Sequence, residues 1–257
     1  MNMTTTPFGW RVYGAGIMAL GLACLASADF VVGQPLPKAF AYRAALAFAT
    51  AAFLLAAGAA LEWRRTTSRA AAAIAAAYAL IVLAMDVPAI VANPGIYGIY
   101  SGGAEQLAIL AGASIVYASS SQTAPARAAR LTRAGQVAFG ACALLFGGAH
   151  FAYMNLTAPL VPKFLPPSQE FWAIATGVAH IAAGLALVTG VQARLAAILL
   201  TAMYASFTPL VHLPMLLAQP HDHGIWTENA INLALTGAAW VVADSLARKG
   251  SAKLSVR

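Results

Sequence analysis

The chain has 257 residues, of which 61% are hydrophobic and only 9% are charged, and its formal net charge is +7. This small number of charged residues cannot cover the surface of a soluble domain of this length. The composition therefore excludes an ordinary soluble protein and predicts an integral membrane protein. The positive charge is accounted for below by membrane topology, and binding to nucleic acid is not needed to explain it.

Apolar runs recur along the chain, each near the roughly 20 residues that a helix needs to cross about 30 Å of hydrocarbon. We predict an all-α integral membrane protein with one transmembrane helix in each run. The eight predicted spans are 12–32, 42–61, 70–92, 104–119, 134–154, 170–190, 194–217 and 228–246.

The sequence also repeats itself. A shift of 126 positions aligns prolines, glycines and tyrosines that chance seldom aligns, among them Tyr78 with Tyr204 and Pro88 with Pro214. Because internal repeats are a common way to build membrane proteins, we interpret the chain as two fused four-helix units, residues 1–122 and 123–257. An even number of spans in each unit makes the two units parallel.

The first apolar run has a competing interpretation. Arg11, the apolar stretch and Ala26-Ser27-Ala28 together resemble a secretory signal peptide with its cleavage site. The repeat favours a retained structural helix instead, because the first unit needs this span to match the second.

Basic residues predict the orientation. Twelve of them fall on one side of the predicted spans, whereas Lys38, Arg43 and Lys163 fall on the other. By the positive-inside rule, the side with twelve is cytoplasmic, which places both termini in the cytoplasm and the protein in the inner membrane of a bacterium. The twelve are Arg11, Arg64, Arg65, Arg69, Arg127, Arg130, Arg133, Arg194, Arg248, Lys249, Lys253 and Arg257.

Histidines occur only in the second unit, where three consecutive spans each carry one. Ionisable groups in hydrocarbon cost several kcal/mol unless they are paired or hydrated, so they tend to line functional cavities. A neutral histidine with one hydrogen bond is also an ordinary helix–helix contact, and both interpretations stay open. The predicted periplasm-facing pocket consists of His150, His180, His212, Trp172, Trp226, Glu228, Asn229 and Asn232.

The last outer loop offers a second candidate site. His221, Asp222 and His223 carry nitrogen and oxygen ligands that suit a transition metal. The same spacing is common in polar turns, so an ordinary loop is the alternative. Glu228, just beyond, sits where a carboxylate also favours a helix N-terminus.

Catalytic motifs are missing from the sequence. The two cysteines form no CxxC pair, and no haem-attachment motif, iron–sulfur cysteine set or nucleophile–base pair is present. Catalysis by this chain alone is therefore not expected, although a role as an oxidoreductase subunit stays open.

The second unit resembles a known family. A Pro-Lys-Phe-Leu-Pro-Pro loop at 162–167 leads to Trp172, a glycine-rich helix follows, and Arg194-Leu195-Ala196-Ala197 begins the next span. Over residues 133–246 this pattern resembles the DoxX family of four-helix bacterial membrane proteins, and residues 11–119 resemble a diverged copy. The chain departs from the commoner pattern in its double length and in having His180 where many members carry a glutamate.

The resemblance implies a subunit of a membrane redox system, because members of this family are linked to quinone-dependent complexes. Our first hypothesis is therefore a bilayer protein that binds a quinone beside partner redox subunits. A second is a bundle protein that binds haem or a transition metal through its histidines. A third is a transporter or assembly factor for small molecules or lipids without catalysis. The sequence does not decide between a monomer and a homo-oligomer.

Overall fold

The computed structural model describes residues 8–31 and 38–254, and these residues form helices and their connections without any strand. The all-helical prediction is confirmed. The eight long helices are α1 (Gly9–Ser27), α2 (Arg43–Leu61), α3 (Thr67–Ala92), α4 (Tyr97–Ser120), α5 (Pro125–Ala152), α6 (Gln169–Thr189), α7 (Ala193–Ala218) and α8 (His223–Leu254).

The predicted helix boundaries differ from the observed ones mainly at ends set by local backbone chemistry. α1 ends at Ser27, five residues before its predicted end, because Ala28 adopts a left-handed conformation with φ of 52°. α5 begins at Pro125, well before residue 134, because proline is well tolerated in the first turn of a helix. The connection between α5 and α6 contains a short α-helix, Met154–Thr157, followed by a 3-10 turn, Ala158–Leu160.

Seven of the described helices are long and apolar enough to cross a membrane, which fits a multi-pass helical membrane protein. Large apolar side chains point outward from them, including Leu83 at 69%, Val91 at 74% and Leu217 at 74% exposure. Such an outward apolar surface would be a liability in water and suits contact with lipid. α4 is the long helix outside these seven, because Glu105 and Gln106 lower its hydropathy.

The helices form a ring in chain order. Each packs on the next along the chain, and α1 closes the ring by packing on α8. Two of them, α4 and α8, also contact each other across the middle of the ring, so these two are the central helices of the molecule. α1 is a core element, because Tyr13, Ile17 and Leu20 on it are completely buried.

Glycines allow the closest helix contacts. A Cβ atom added to Gly184 on α6 would lie 2.7 Å from the carbonyl oxygen of Gly140 on α5, and one added to Gly140 would lie 3.0 Å from the carbonyl oxygen of Gly184. The same reciprocal contact joins Gly14 on α1 to Gly58 on α2. Small residues at such crossings let backbones approach and gain van der Waals contact, which drives helix association in lipid.

Both α3 and α7 contain one π-helical turn, at Val82–Asp86 and at Thr208–His212. Pro88 and Pro214 follow these turns by two residues. A proline has no N–H to donate and its ring clashes with the preceding turn, so the helix accommodates it by a local change of hydrogen-bond register. These turns carry Asp86 and His212 at their last positions.

The bundle has two ends. We call one the long-loop face, whose connections include residues 28–31 and 38–42, 93–96, 153–168 and 219–222. The other is the arginine face, with connections 62–66, 121–124 and 190–192. On the arginine face, Arg133 donates hydrogen bonds of 2.9 and 2.6 Å to the carbonyl oxygens of Leu187 and Val188. A cation there favourably caps the C-terminus of α6.

Candidate ligand-binding site

A cavity of about 210 Å³ opens between five helices near the long-loop face. We call it the histidine cavity. All three predicted membrane histidines line it, together with residues of both central helices. Its lining is Ser101, Glu105, Phe146, Ala149, His150, Thr157, His180, Tyr204, Phe207, His212, Glu228, Ile231, Asn232 and Leu235. The structure therefore brings together five of the eight predicted pocket residues.

His180 lies at the base of this cavity with 1% of its surface exposed. Its Nδ1 is 2.8 Å from the carbonyl oxygen of Thr176, one helical turn earlier, and a carbonyl can only accept, so Nδ1 carries the proton. In the neutral ring, Nε2 is then an acceptor, and it makes no hydrogen bond to any described residue. The rings of Phe146, Tyr204 and Phe207 surround the imidazole at centroid distances of 5.4 to 6.4 Å.

His150 lies directly beside His180, with ring centroids 5.3 Å apart. Its Nδ1 is 3.3 Å from the hydroxyl oxygen of Thr176, which itself donates to the carbonyl oxygen of Trp172 at 2.8 Å. Because that hydroxyl proton is engaged, Thr176 accepts from Nδ1–H of His150. Thr176 thus orients both imidazoles from a single helical position.

His212 enters the cavity from the π-helical turn of α7, and neither of its ring nitrogens bonds to a described residue. Two amides of α8 hold this turn in place. Asn229 Nδ2 donates to the carbonyl oxygen of His212 at 3.2 Å. Asn232 Nδ2 donates to the carbonyl oxygen of Tyr204 at 3.1 Å and to the hydroxyl of Thr208 at 3.0 Å. Asn229, predicted as a pocket residue, therefore positions His212 from outside the cavity lining.

Two carboxyl groups face the histidines across the cavity. Glu228 on α8 and Glu105 on α4 both line it, and they lie close enough for their charges to repel each other. Glu228 is exposed although it lies within the bundle, so the cavity admits water-sized molecules beside it. Glu105 comes from the first half of the chain and is missing from the predicted pocket. An ionisable residue within an apolar run was the signal that could have identified it.

The two predicted tryptophans lie outside the histidine cavity. Trp226 is 46% exposed and donates from Nε1 to the carbonyl oxygen of Pro220 at 2.8 Å. It precedes Glu228 by two residues, about 200° around a helix, so one faces outward when the other faces inward. Trp172 donates to the carbonyl oxygen of Pro166 at 2.9 Å and lines a neighbouring apolar groove.

The predicted metal ligands of the last loop do not converge. Asp222 caps α8 by accepting from the amide of Ile225 at 3.0 Å, while His223 Nε2 donates to the carbonyl oxygen of Phe30 at 2.8 Å. No cluster of three histidine, cysteine, aspartate or glutamate side chains suited to a metal occurs in residues 8–31 and 38–254. Asp222 and His223 thus make the contacts of an ordinary polar loop, the alternative considered from the sequence.

An ion pair holds the neighbouring rim of the long-loop face. Arg43 Nε lies 2.7 Å from Asp29 Oδ1, beside the contact that His223 makes with Phe30. Partial burial acts to raise the pKa of Asp29, but the hydrogen bond from Arg43, the amide of Phe30 and the Arg43 charge outweigh it, so this pKa lies below its usual value. Asp29 therefore stays ionised and joins α1 to α2 at neutral pH.

Comparisons with known proteins cover only part of this site. Residues 139–243 match a family model described as a domain of unknown function, DUF8561. The matched segment contains the histidines and Glu228 but excludes Ser101 and Glu105. No curated protein and no solved structure matches the chain.

Proposed function

We propose that this protein is a quinone-binding subunit of a bacterial membrane redox system, with the quinone ring in the histidine cavity. The observation that carries the proposal is the convergence of three imidazoles and two carboxyls within one water-accessible cavity between apolar helices. Intramembrane ionisable groups at this density are costly unless they serve a ligand or proton path.

The cavity fits both redox forms of such a ligand. A quinone presents carbonyl oxygens that accept hydrogen bonds, and a quinol presents hydroxyls that donate them. The imidazole of His212 bonds to no described residue, and a neutral imidazole always has one N–H, so it can donate to a carbonyl oxygen. His180 can accept from a hydroxyl through Nε2. Glu105 and Glu228 can each hold a proton next to the ligand.

Electrons have to come from a partner. The two cysteines of the chain are free and buried, and the sequence carries no motif for an electron-transfer cofactor. We therefore propose a partner redox subunit that exchanges electrons with the ligand, while this chain binds the ring and supplies proton-holding groups. The resemblance of residues 133–246 to the DoxX family supports this assignment.

We also propose that the chain crosses the membrane eight times as two parallel repeats. α4, at 24 residues or about 36 Å, is long enough for the eighth span. The π-helical turns at 82–86 and 208–212 and the glycine contacts Gly14–Gly58 and Gly140–Gly184 all recur at the spacing of 126. With the arginine face in the cytoplasm, the histidine cavity faces the periplasm of the inner membrane.

The first test is to identify what is bound to the protein after purification from its native membrane in mild detergent. Absorption, metal and extracted-quinone analysis would be made on one sample, and we expect quinone without a haem band or stoichiometric metal. The variants His180→Leu and His212→Leu should each bind an added short-tailed quinone about tenfold more weakly, which is what one lost hydrogen bond is worth at most.

Two controls make this test specific. His221→Leu removes an exposed histidine outside the cavity and should leave quinone affinity unchanged. Leu54 stands at the position 126 residues before His180 and is also buried, so leucine suits this place in the helix and His180→Leu should stay folded. Equal quinone affinity in wild type, His180→Leu and His212→Leu would refute the proposal. A haem band or stoichiometric metal would favour the second hypothesis, and an empty protein that binds no added quinone would favour a transporter or assembly factor.

A further inference from the structure

Two apolar grooves lie along the α6–α7 pair, outside the histidine cavity. The upper groove, of about 330 Å³, runs beneath the loop between α5 and α6 and is lined by Val161, Trp172, Met203, Phe207 and Leu210 among others. The lower groove, of about 240 Å³, continues toward the arginine face past Leu195, Leu199 and Gln192. No charged side chain lines either groove.

The two grooves are continuous. Ala179 on α6 and Met203 on α7 line both of them, so they meet at this level of the helix pair. From Gln192 to Val211 the joint groove follows some 20 residues of helix, which is about 30 Å at 1.5 Å per residue. Its length therefore approaches the thickness of a bilayer hydrocarbon core.

The upper groove also adjoins the histidine cavity. Phe207 lines both spaces, and its ring packs against His180 with a centroid distance of 6.4 Å. Thr176 lines the groove and contacts His150 at 3.3 Å. One layer of side chains between α6 and α7 thus separates a polar cavity from an apolar groove. The π-helical turn of α7 begins at Thr208, directly after Phe207.

We infer that the ligand is a membrane amphiphile with one long apolar chain, whose chain lies in this groove while its uncharged ring reaches the histidine cavity past Phe207. The inference rests on the proposed function and specifies the ligand class and its route, which is lateral, from the lipid between α6 and α7. An anionic phospholipid headgroup is a poor occupant, because no lysine or arginine lines the cavity to pair with a phosphate.

A plug in the groove tests this inference. Ala179 is exposed at the junction of the two grooves, so Ala179→Phe fills the groove without entering the core. Val178 is 53% exposed on the same helix and lines neither groove, so Val178→Phe is the matched control for bulk, position and lipid contact. Leu199→Trp, at an exposed position of the lower groove, is a second plug.

Each variant would be titrated in one detergent with two quinones that share a ring, one without a tail and one with a multi-isoprenoid tail. We expect Ala179→Phe and Leu199→Trp to weaken binding of the tailed quinone at least tenfold and to leave the tailless quinone unaffected. Val178→Phe should change neither affinity. Comparing variants in the same detergent cancels partition of the tail into micelles.

The possible results separate the two proposals. Suppose that the wild type binds the tailless ring, and that Ala179→Phe, Leu199→Trp and Val178→Phe all bind the tailed quinone equally well. This result would refute the proposal that the groove holds the tail, and it would leave the ring site intact. Failure of the tailless ring to bind the wild type would overturn the ring site itself, and the groove proposal with it.

Discussion

At the scale of single residues, the polar side chains in the membrane region divide into groups available to a ligand and groups that hold helices together. His212 and Glu228 line the cavity, and their side chains make no hydrogen bond to any described residue. Asn232, in contrast, is 5% exposed and uses its amide on the carbonyl oxygen of Tyr204 and on Thr208. That carbonyl lies where α7 changes from α-helical to π-helical hydrogen bonding, so it needs a partner from another helix.

Asn232→Leu should therefore destabilise the protein. It leaves the carbonyl oxygen of Tyr204 without its side-chain donor in a buried place, which costs about 1–3 kcal/mol. We expect a melting temperature several degrees lower in detergent, as measured by thermal scanning. Asn93→Leu is the control, because the exposed amide of Asn93 bonds only within its own helix at Ala89. Equal melting temperatures for the two variants would contradict this assignment.

At the scale of helices, glycine contacts decide how closely neighbours pack. Gly140 and Gly184 bring the backbones of α5 and α6 together, which sets His150 on α5 beside His180 on α6. The distance between two helices in lipid depends on the side chains at their crossing. The histidine pair thus depends on a glycine about three turns from His150 and on another about one turn from His180.

Gly184→Ala is expected to destabilise the protein although alanine is the better helix former. Helix propensity favours alanine by about 1 kcal/mol. The added Cβ would lie 2.7 Å from the carbonyl oxygen of Gly140 and 2.8 Å from Leu144 Cγ, and overpacking of this kind costs about 1–3 kcal/mol. Thermal scanning should show a lower melting temperature for Gly184→Ala and no loss for Gly95→Ala, where nothing lies within 4 Å. A stabilised Gly184→Ala variant would show that the α5–α6 crossing can accommodate the added Cβ atom.

At the scale of the whole molecule, the two halves of the chain complete each other. α1 packs on α8 and α4 packs on α5, so each half contributes an end helix to the other, and α4 meets α8 in the centre. The histidine cavity reflects this arrangement, because Ser101 and Glu105 of the first half face residues of the second. The first half is thus a wall of the site as well as a scaffold.

The halves should depend on each other when they are separated. Residues 123–257 expressed alone would expose the apolar surfaces that normally contact α1 and α4, and we expect aggregation during size-exclusion chromatography in detergent. Co-expression of residues 1–122 with a tagged 123–257 should restore a single complex that elutes like the intact chain. A monodisperse 123–257 fragment that binds quinone with full affinity would contradict this expectation.

Helix positions and the set of candidate residues could largely be predicted from the sequence, because both depend on local pattern. The predicted span 170–190 and the observed Gln169–Thr189 nearly coincide. His180 was identified as an ionisable group deep in an apolar run, and the structure buries it. The direction of side chains was less predictable, as Trp226 shows, since it depends on which face of α8 meets α4 and α7.

By itself, the sequence determined the chemical class of the chain. Its low charge and its apolar runs indicated a helical membrane protein, because hydropathy acts within one stretch of chain. Only the tertiary structure decided which polar groups meet. Glu105 and Glu228 are 123 positions apart in the sequence. They share a cavity because close packing places α4 against α8. Local sequence patterns do not predict such long-range contacts.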